Sequence, residues 1–335
     1  GVALKPDDKL KIALALDELG VDSIEAGFPI TSRGEFLAVK TIAAEVSNAE
    51  VIALARTSKS DIDAVLDCGT DAIHLFIATS DIHMKYKLRM SPEEVVERAV
   101  WAVEYAKSHG LTVEFSAEDS TRSRWEFLAR VFQEVVDAGA ERIDIADTVG
   151  IMRPTKMAEL IRYVKDVVRG NYILSIHGHN DFGMAVANSI TALESGADQV
   201  HVTVLGVGER AGNAALEEVV ATITFLMGFK TNIKLELISS TARLVSELFR
   251  INIQPNKPIV GINAFSHESG IHVHGILGNP LTYEPIDPSA IGMKRRIVLG
   301  KHSGRHAVIY TLKELGIEPS EDVVDKVLAK VKELG

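Results

Sequence analysis

One pattern of apolar and polar residues recurs four times along the chain. Each copy has an amphipathic stretch, a glycine, one or two small or charged residues, and then a short β-branched run. The copies are DELGVDSIEAG (17–27), DCGTDAIHLFI (67–77), DAGAERIDIAD (137–147) and ESGADQVHVTV (194–204). Glycine adopts the left-handed conformation that ends many helices without a steric penalty. The pattern therefore predicts a helix that ends at the glycine and a buried parallel strand that follows it.

Three further β-branched runs bring the predicted strands to seven: VIALAR (51–56), TVEFSA (112–117) and YILSIH (172–177). Each strand precedes a helical pattern, and Ser91-Pro92-Glu93-Glu94 is the clearest helix start, with an N-cap, a proline and two acids. This alternation predicts a parallel α/β sheet, either a (β/α)8 barrel or a doubly wound sheet. A barrel needs eight strands, and Gly1 leads directly into a helix at about 6–19. We therefore expect a TIM barrel whose first strand precedes Gly1.

The alternating pattern ends near residue 228. We predict a TIM-barrel catalytic domain over 1–228 and a smaller, mostly helical accessory region over 229–335, with helices near 234–250, 303–315 and 319–334. A basic segment in this region has five cations and no acid: Lys294, Arg295, Arg296, Lys301 and Arg305. Such a segment is either a solvated or interface face, or a contact for a phosphate-bearing ligand.

Polar residues lie near the end of every predicted strand, where TIM barrels carry their catalytic groups. They are Glu25, Arg56, Glu118, Asp147, Thr148, the run 177–181, Glu209, Arg210 and Asn213, with His74 in mid-strand. By position alone, Glu25 and Glu118 are either buried, paired acids or a base and an orienting group. His74 alone would usually be a core histidine, and Asn213 alone is best explained as a helix N-cap.

His177 and His179 form the sharpest pair of candidates. Residues i and i+2 of a strand face the same side, so both imidazoles can reach one point in the barrel mouth. Two such nitrogens with oxygen ligands suit a divalent ion such as Zn²⁺ or Mn²⁺. The alternative is a pair of hydrogen-bonded histidines beside a helix start, with Asn180 or Asp181 as the cap.

Composition narrows the class of protein. The chain has 36 Lys and Arg against 46 Asp and Glu, a net charge of −10, which argues against a nucleic-acid partner. No apolar run reaches the ~18 residues of a transmembrane helix, so no membrane partner is expected. The single cysteine, Cys68, excludes an internal disulfide framework and favours a cytoplasmic location. No GxGxxG or Walker loop supports dinucleotide or nucleoside triphosphate binding.

Several long motifs, taken together, resemble the 2-isopropylmalate synthase family, which includes citramalate and homocitrate synthases. The resemblance covers essentially the whole chain, and its motifs occur in the family's order. They are IEAGFP (24–29), HLFIATSDIHMKYK (74–87), FSAEDSTRS (115–123), ADTVG (146–150), HGHND (177–181), GERAGNAALEEV (208–219), FSHESGIHVHG (265–275), TYEPIDP (282–288) and GKHSGRHA (300–307).

The resemblance implies an acyltransferase that joins acetyl-CoA to a 2-oxo acid by metal-assisted Claisen condensation, followed by thioester hydrolysis. It implies a divalent metal ion (Mn²⁺, Zn²⁺ or Mg²⁺) and a homodimer in which the accessory region reaches the partner's barrel. The implied metal ligands are His177, His179 and Asn213, and the implied catalytic residues are Glu118, His267 and Tyr283. His74, Thr148 and Glu25 are the expected substrate-binding residues.

Two departures from the family pattern bear on activity. Members carry an L-R-D-G-E-Q-x-P-G-V motif on strand one, with a catalytic Arg and a metal-binding Asp, and this chain starts at its final Gly-Val, Gly1-Val2. As given, it lacks those two residues and could be inactive as a fragment. The sequence also stops near 335, without room for the C-terminal leucine-binding regulatory domain of many members.

The 2-oxo acid is the least determined part of the prediction. The motifs 24–29 and 74–87 resemble the enzymes that use 2-oxoisovalerate and serve leucine biosynthesis, whereas ADTVG also occurs in citramalate (pyruvate) and homocitrate (2-oxoglutarate) enzymes. A dicarboxylate would favour a cation two residues before Ser116, where this chain has Glu114. The best prediction is 2-oxoisovalerate. Two other classes stay open, namely a metal-dependent acyl-CoA lyase and a non-catalytic protein that kept the barrel.

Overall fold

A computed structural model describes residues 4–334 and divides into two compact units. The first runs up to Ile233 and includes Leu244–Arg250, and the second comprises Lys234–Arg243 and the chain from Ile251 onward. The predicted remnant of the strand-one motif, Gly1-Val2, lies outside the described residues. Each unit is described by itself below.

Seven parallel strands form one sheet in the described part of the first unit, in the order of the sequence from β1 to β7. They are β1 Ser23–Glu25, β2 Glu50–Arg56, β3 Ala72–Ala78, β4 Thr112–Glu118, β5 Arg142–Asp147, β6 Ile173–Gly178 and β7 Gln199–His201. These are the seven strands that the sequence predicts. Strands that pair in chain order with helices between them form a TIM barrel lacking one strand, which confirms the predicted fold class.

The helices of the first unit alternate with the strands. They are α1 Pro6–Leu19, α2 Arg33–Glu45, α3 Lys59–Cys68, the short α4 Asp81–His83, α5 Pro92–Ser108, α6 Trp125–Asp137, α7 Pro154–Val167, α8 Ala185–Glu194 and α9 Leu216–Ala221. The helix start predicted at Ser91 is confirmed, and the structure adds a capping box, because Ser91 and Glu94 each accept a hydrogen bond from the other's backbone N–H group. The four repeat glycines, Gly20, Gly69, Gly139 and Gly196, all have positive φ, as the helix-ending prediction requires.

Apolar and polar side chains alternate along the central strands. On β3 and β4, Ile73, Leu75, Val113 and Phe115 are fully buried in the main hydrophobic core, which also contains residues of helices α5 and α6. The residues between them are polar: His74 on β3, and Glu114 and Ser116 on β4. Because side chains alternate across a strand, these polar groups share the opposite face of the sheet, the barrel interior. The interior of this barrel is therefore lined by charged and hydrogen-bonding groups.

The second unit is mostly helical, as predicted. The chain enters it at Lys234, and α10 Ile238–Phe249 begins in this unit and ends in the first one. From Ile251 onward the second unit contains α11 Gly270–Gly278, α12 Arg305–Glu314 and α13 Glu321–Leu334. Ser266–His267 (β8) and Arg296–Ile297 (β9) pair in parallel, a contact that the sequence did not predict because two residues are too few for a pattern. In the described chain, no helix is long and apolar enough to span a membrane.

Candidate active site

His177, His179 and Asn213 meet at the end of β6. The Nε2 atoms of the two histidines are 3.2 Å apart, and the Asn213 amide nitrogen lies 3.1 Å from His177 Nε2. An isolated β-bridge between His179 and Asn213 fixes the asparagine beside the strand end. Gly208 leaves room for it, since a Cβ there would lie 1.7 Å from Asn213 Oδ1. The structure therefore brings together the three residues expected to bind metal.

Arg210 anchors the loop that carries Asn213. Its guanidinium donates to both Asp181 carboxylate oxygens, at 2.7 and 2.9 Å, and to the Thr148 carbonyl oxygen at 2.8 Å. Gly150 is required at this junction, because its φ is +60° and a Cβ would lie 2.5 Å from Asp181 Oδ2. The loop is therefore held against the ends of both β5 and β6.

The two histidines on β6 are held neutral. Burial lowers the pKa of His177 to about 3, with further lowering by the neighbouring His201 and His179. Burial also lowers the pKa of His179, as does the charge of Arg210. His179 Nδ1 is buried and has no hydrogen-bond partner among the described residues. Neutral imidazoles with free lone pairs are the form that binds metal ions, so the donors fit a divalent ion.

The donor set in residues 4–334 is nevertheless short. Within this range, no group of three His, Cys, Asp or Glu side chains could hold a metal ion. What the described chain offers is two imidazoles and one amide, which leaves positions for ligands from elsewhere.

Glu25 and His74 are in direct contact inside the barrel. His74 Nδ1 lies 2.5 Å from Glu25 Oε2, and its Nε2 lies 2.6 Å from Ser116 Oγ. Ser116 in turn donates to Asp144 Oδ2. Burial lowers the pKa of His74, but the Glu25 carboxylate outweighs this effect and raises it above its usual value. Glu25, His74, Ser116 and Asp144 thus form a continuous hydrogen-bonded chain, which we call the β1–β5 chain.

A second interior histidine, the half-buried His201 on β7, lies between two carboxylates. Its Nε2 is 2.7 Å from Glu114 Oε1, and its Nδ1 is 3.9 Å from Asp144 Oδ1. Burial alone would lower its pKa, but Glu114 and Asp144 raise it to about 10. Arg142 extends the cluster, because it contacts Glu114 at 3.7 Å and forms two hydrogen bonds with Glu50. His201, Arg142, Glu114, Asp144 and Glu50 thus form a cluster of paired charges in the barrel interior.

Glu118 and Thr148 lie at the ends of the neighbouring strands β4 and β5. Glu118 accepts hydrogen bonds from Lys87 Nζ at 2.5 and 2.7 Å, one to each carboxylate oxygen. Lys87 comes from a π-helical turn, Met84–Leu88, and such turns often occur at functional sites. The Thr148 hydroxyl accepts from the Asp119 backbone N–H at 2.8 Å rather than bonding Glu118.

In the second unit, called the accessory unit below, the two predicted acid–base residues contact different side chains. His267 Nε2 lies 3.1 Å from Glu284 Oε1, and this buried glutamate is also held by the Arg295 guanidinium at 2.7 and 2.5 Å. Tyr283 instead stacks on His272, with ring centroids 4.0 Å apart. Arg295 of the basic segment is therefore paired with Glu284. The histidine that contacts the Tyr283 ring is His272 and not the predicted His267.

Sequence reasoning missed several of these groups as site residues. They are Lys87, Ser116, Asp144, His201 and His272. A period-two signal was available for three of them, because Ser116, Asp144 and His201 alternate with apolar residues on strands already predicted. The aromatic contact of His272 with Tyr283 depends on tertiary structure and has no signal in the spacing.

Comparisons with known proteins agree with this architecture. Residues 1–245 match the HMGL-like family, and residues 259–335 match the family described as Homocitrate synthase post-HMGL domain-like. A solved structure of an HMG-CoA lyase from Bacillus subtilis superposes on 74% of this chain and 88% of its own, with a TM-score of 0.66 and 21% identity. At that identity the likeness establishes the fold alone.

Curated relatives match the entire chain. A probable 2-isopropylmalate synthase from Ignicoccus hospitalis is 60% identical over all 335 residues, which span 84% of that relative. A homocitrate synthase from Methanopyrus kandleri and an (R)-citramalate synthase from Methanocaldococcus jannaschii are each 53% identical, with 84% and 68% of their lengths covered. Whole-chain identity at this level goes with matching motifs in both units. The chain therefore belongs to the HMGL-like proteins and, within them, to the 2-isopropylmalate synthase family, a family of acyltransferases that includes citramalate and homocitrate synthases.

Proposed function

We propose that this protein condenses acetyl-CoA with 2-oxoisovalerate and then hydrolyses the thioester, giving 2-isopropylmalate for leucine biosynthesis. The observation that carries the proposal is the meeting of His177, His179 and Asn213 beside the β1–β5 chain. Neutral metal-ligating groups and fixed, charged hydrogen-bonding groups then border the same interior space. That combination suits a 2-oxo acid, whose ketone and carboxylate need both kinds of contact.

His177, His179 and Asn213 would hold the divalent ion, together with ligands from outside residues 4–334. When bound, the ion would polarise the ketone and stabilise negative charge on its oxygen. His74, with Glu25 fixing its ring, would orient the 2-oxo acid. Lys87 would keep Glu118 in one position at the end of β4. Thr148 would close the site from the end of β5.

Acid–base work on acetyl-CoA is proposed for the accessory unit, where His267 and Tyr283 are the residues implied by the resemblance. The ring contact of Tyr283 with His272 supports adding His272 as its partner. His267 is tied to a buried carboxylate, an arrangement that suits a positioning role. A kinetic comparison of separate His267 and His272 variants decides between these roles.

Glu114 supports a monocarboxylic 2-oxo acid. It is buried, and it pairs with His201 and Arg142 in the barrel interior. Burial raises the pKa of Glu114, but His201 and His74 outweigh this effect and hold it below its usual value, so the group is an anion. Because Glu114 pairs with both His201 and Arg142, neither cation is left to pair with a second substrate carboxylate, which disfavours 2-oxoglutarate. Pyruvate remains the competing substrate.

The direct test measures CoA thiol release by the full-length enzyme with acetyl-CoA and each of three acids: 2-oxoisovalerate, pyruvate and 2-oxoglutarate. We expect the highest kcat/KM with 2-oxoisovalerate. A higher value with pyruvate or 2-oxoglutarate would overturn the substrate assignment. Cleavage of 3-hydroxy-3-methylglutaryl-CoA without any condensation would favour the acyl-CoA lyase class instead. Absence of both activities together with absence of a bound divalent ion would favour a non-catalytic protein.

We also propose that the enzyme works as a homodimer whose accessory units act at the partner's barrel. Complementation tests this arrangement, because a barrel variant such as H177A and an accessory variant such as Y283F are each expected to lose most of the activity. Mixing the two, with exchange of subunits, should restore part of the activity. A mixture that exchanges subunits and stays inactive would contradict the shared site.

A further inference from the structure

We propose that Asp144 is a positioning residue of this site, which acts through the Ser116 hydroxyl to fix the protons on the His74 ring. The substrate part of the inference rests on the proposed function, whereas the hydrogen-bond part does not. The juxtaposition that carries it is the β1–β5 chain, in which the contacts from Glu25 through His74 and Ser116 reach the buried Asp144 carboxylate.

The chain has only one consistent donor direction when Asp144 is ionised. A hydroxyl has a single hydrogen, so Ser116 donates either to Asp144 or to His74 but not to both. If Ser116 donates to Asp144, His74 Nε2 must carry a hydrogen and donate to Ser116 Oγ. Since Nδ1 faces the Glu25 carboxylate at 2.5 Å, it carries a hydrogen as well. An ionised Asp144 therefore selects the doubly protonated His74 ring.

Asp144 has no other donor that would release Ser116. Its side chain is completely buried, and its Oδ1 atom has no hydrogen-bond partner among the described residues. Burial and the Glu114 charge raise the pKa of Asp144, whereas His201, 3.9 Å away on β7, His74 and the Ser116 hydroxyl act to lower it. Its register partner on β6 is Ser175. A buried carboxylate with one short donor depends strongly on that donor.

Packing of the hydrophobic core does not require a carboxylate at position 144. On the same strand, Ile143 and Ile145 are fully buried and supply the apolar surface on the helix side of the sheet. Asp144 adds an acceptor on the interior side, beside the histidine expected to orient the 2-oxo acid. Its effect should fall on the binding of that acid rather than on acetyl-CoA.

The test uses the full-length enzyme labelled with ¹⁵N-histidine, with the His74 signals assigned from an H74Q variant. In the parent protein both ring nitrogens should give protonated signals at neutral pH. D144N keeps the shape but places an amide donor on Ser116, so Ser116 should donate to His74 and Nε2 should lose its hydrogen. S116A, which removes the hydroxyl, should also lose the Nε2 proton and serves if D144N does not fold.

The matched control is Asp17, another buried carboxylate, which bonds the backbone of Asn48 and Ala49 and takes no part in the β1–β5 chain. D17N should lower stability and leave the His74 signals unchanged. An Nε2 that stays protonated in D144N would overturn the proposal, as would D17N shifting His74 equally. In the kinetic arm, D144N should raise the KM for the 2-oxo acid about tenfold and that for acetyl-CoA less than about twofold. Equal rises would overturn the substrate role, whereas inactivity of the parent enzyme with every 2-oxo acid would overturn only the proposed function.

Discussion

The barrel interior contains two kinds of histidine within ring contact of each other. His177 and His201 have ring centroids 5.6 Å apart, yet burial and neighbouring histidines lower the pKa of His177 to about 3, whereas Glu114 and Asp144 raise that of His201 to about 10. Both rings lie in the same barrel interior. What differs is the partner, since carboxylates flank His201 while His179 and an amide flank His177.

The placement of carboxylates sets the charge state of each histidine in the barrel interior. Histidines next to an acid are held charged and act as fixed hydrogen-bond donors, whereas those without one stay neutral and can ligate a metal. The accessory unit repeats the contrast in its contacts. There His267 is bonded to Glu284, while His272 has the Tyr283 ring as its neighbour.

The largest loss of activity should come from a substitution in the neutral pair, His177 and His179. H177A removes one imidazole from the proposed metal site, so divalent ion binding should fall to background and kcat should drop at least about 1,000-fold. Metal analysis and CoA-release kinetics measure the two effects. H74Q should keep the metal while raising the KM for the 2-oxo acid, and H109A, an exposed histidine at the end of α5, should change neither. Retention of metal by H177A would remove the distinction between the two kinds of histidine.

The largest loss of unfolding free energy should come from a substitution in the charged pair, His201 and Glu114. E114Q removes the buried carboxylate that is the closest anion to the half-buried His201, and breaking such a pair should cost about 3 kcal/mol of unfolding free energy. The exposed Glu93–Arg130 pair, 3.5 Å apart, supplies the control, and E93Q should cost less than about 1 kcal/mol. Chemical denaturation at fixed pH measures both values. A loss in E114Q no larger than in E93Q would contradict the assignment.

The stability difference between the parent protein and E114Q depends on pH through the pKa shifts of His201 and Glu114. The folded pKa of His201 is raised from 6.5 to about 10, so its contribution is complete below 6.5 and is lost as the pH rises towards 10. The pKa of Glu114 is lowered from 4.5, so its contribution is present above 4.5 and is lost at more acid pH. The difference in stability between the parent protein and E114Q should therefore be greatest between pH 4.5 and 6.5.

The sequence predicted the strand–helix alternation and the fold class because both depend on local periodicity. The seven strands, the start of α5 at its Ser91 N-cap and the glycines at helix ends are all local features, and each is confirmed. The meeting of His177 and His179 was also predictable, since i and i+2 of a strand share a face. The roles of the predicted site residues stay predictions.

The charge states and the long-range partners were beyond the sequence. His201 and Glu114 are 87 residues apart, and their pairing depends on how β4 and β7 face each other across the interior. The same holds for Ser116 and Asp144, whose contact joins adjacent strands in a register that the pattern alone does not fix. The β8–β9 pair and the His272–Tyr283 contact likewise depend on tertiary structure.

A smaller effect should separate the two accessory histidines. If His272 works with Tyr283 in acid–base chemistry, H272A and Y283F should each lower kcat about 100-fold, with little change in metal binding. H267Q should act through the loss of its Glu284 contact, lowering thermal stability along with activity. Steady-state kinetics and melting curves on the same preparations compare the three. A greater loss of kcat in H267Q than in H272A, at unchanged stability, would return the acid–base role to His267.

The smallest effect concerns the basic segment, where the same contrast between paired and unpaired groups applies to cations. Arg295 holds Glu284, whereas Lys294 and Lys301 have no hydrogen bond or ion pair within the described structure. If the free lysines contact CoA phosphates, the double variant K294A/K301A should raise the KM for acetyl-CoA about threefold, more at low salt, and leave that for the 2-oxo acid unchanged. R295A should instead lower stability, because it leaves a buried carboxylate with only His267 as its partner. An unchanged KM in the double variant at low salt would assign these lysines to a solvated face.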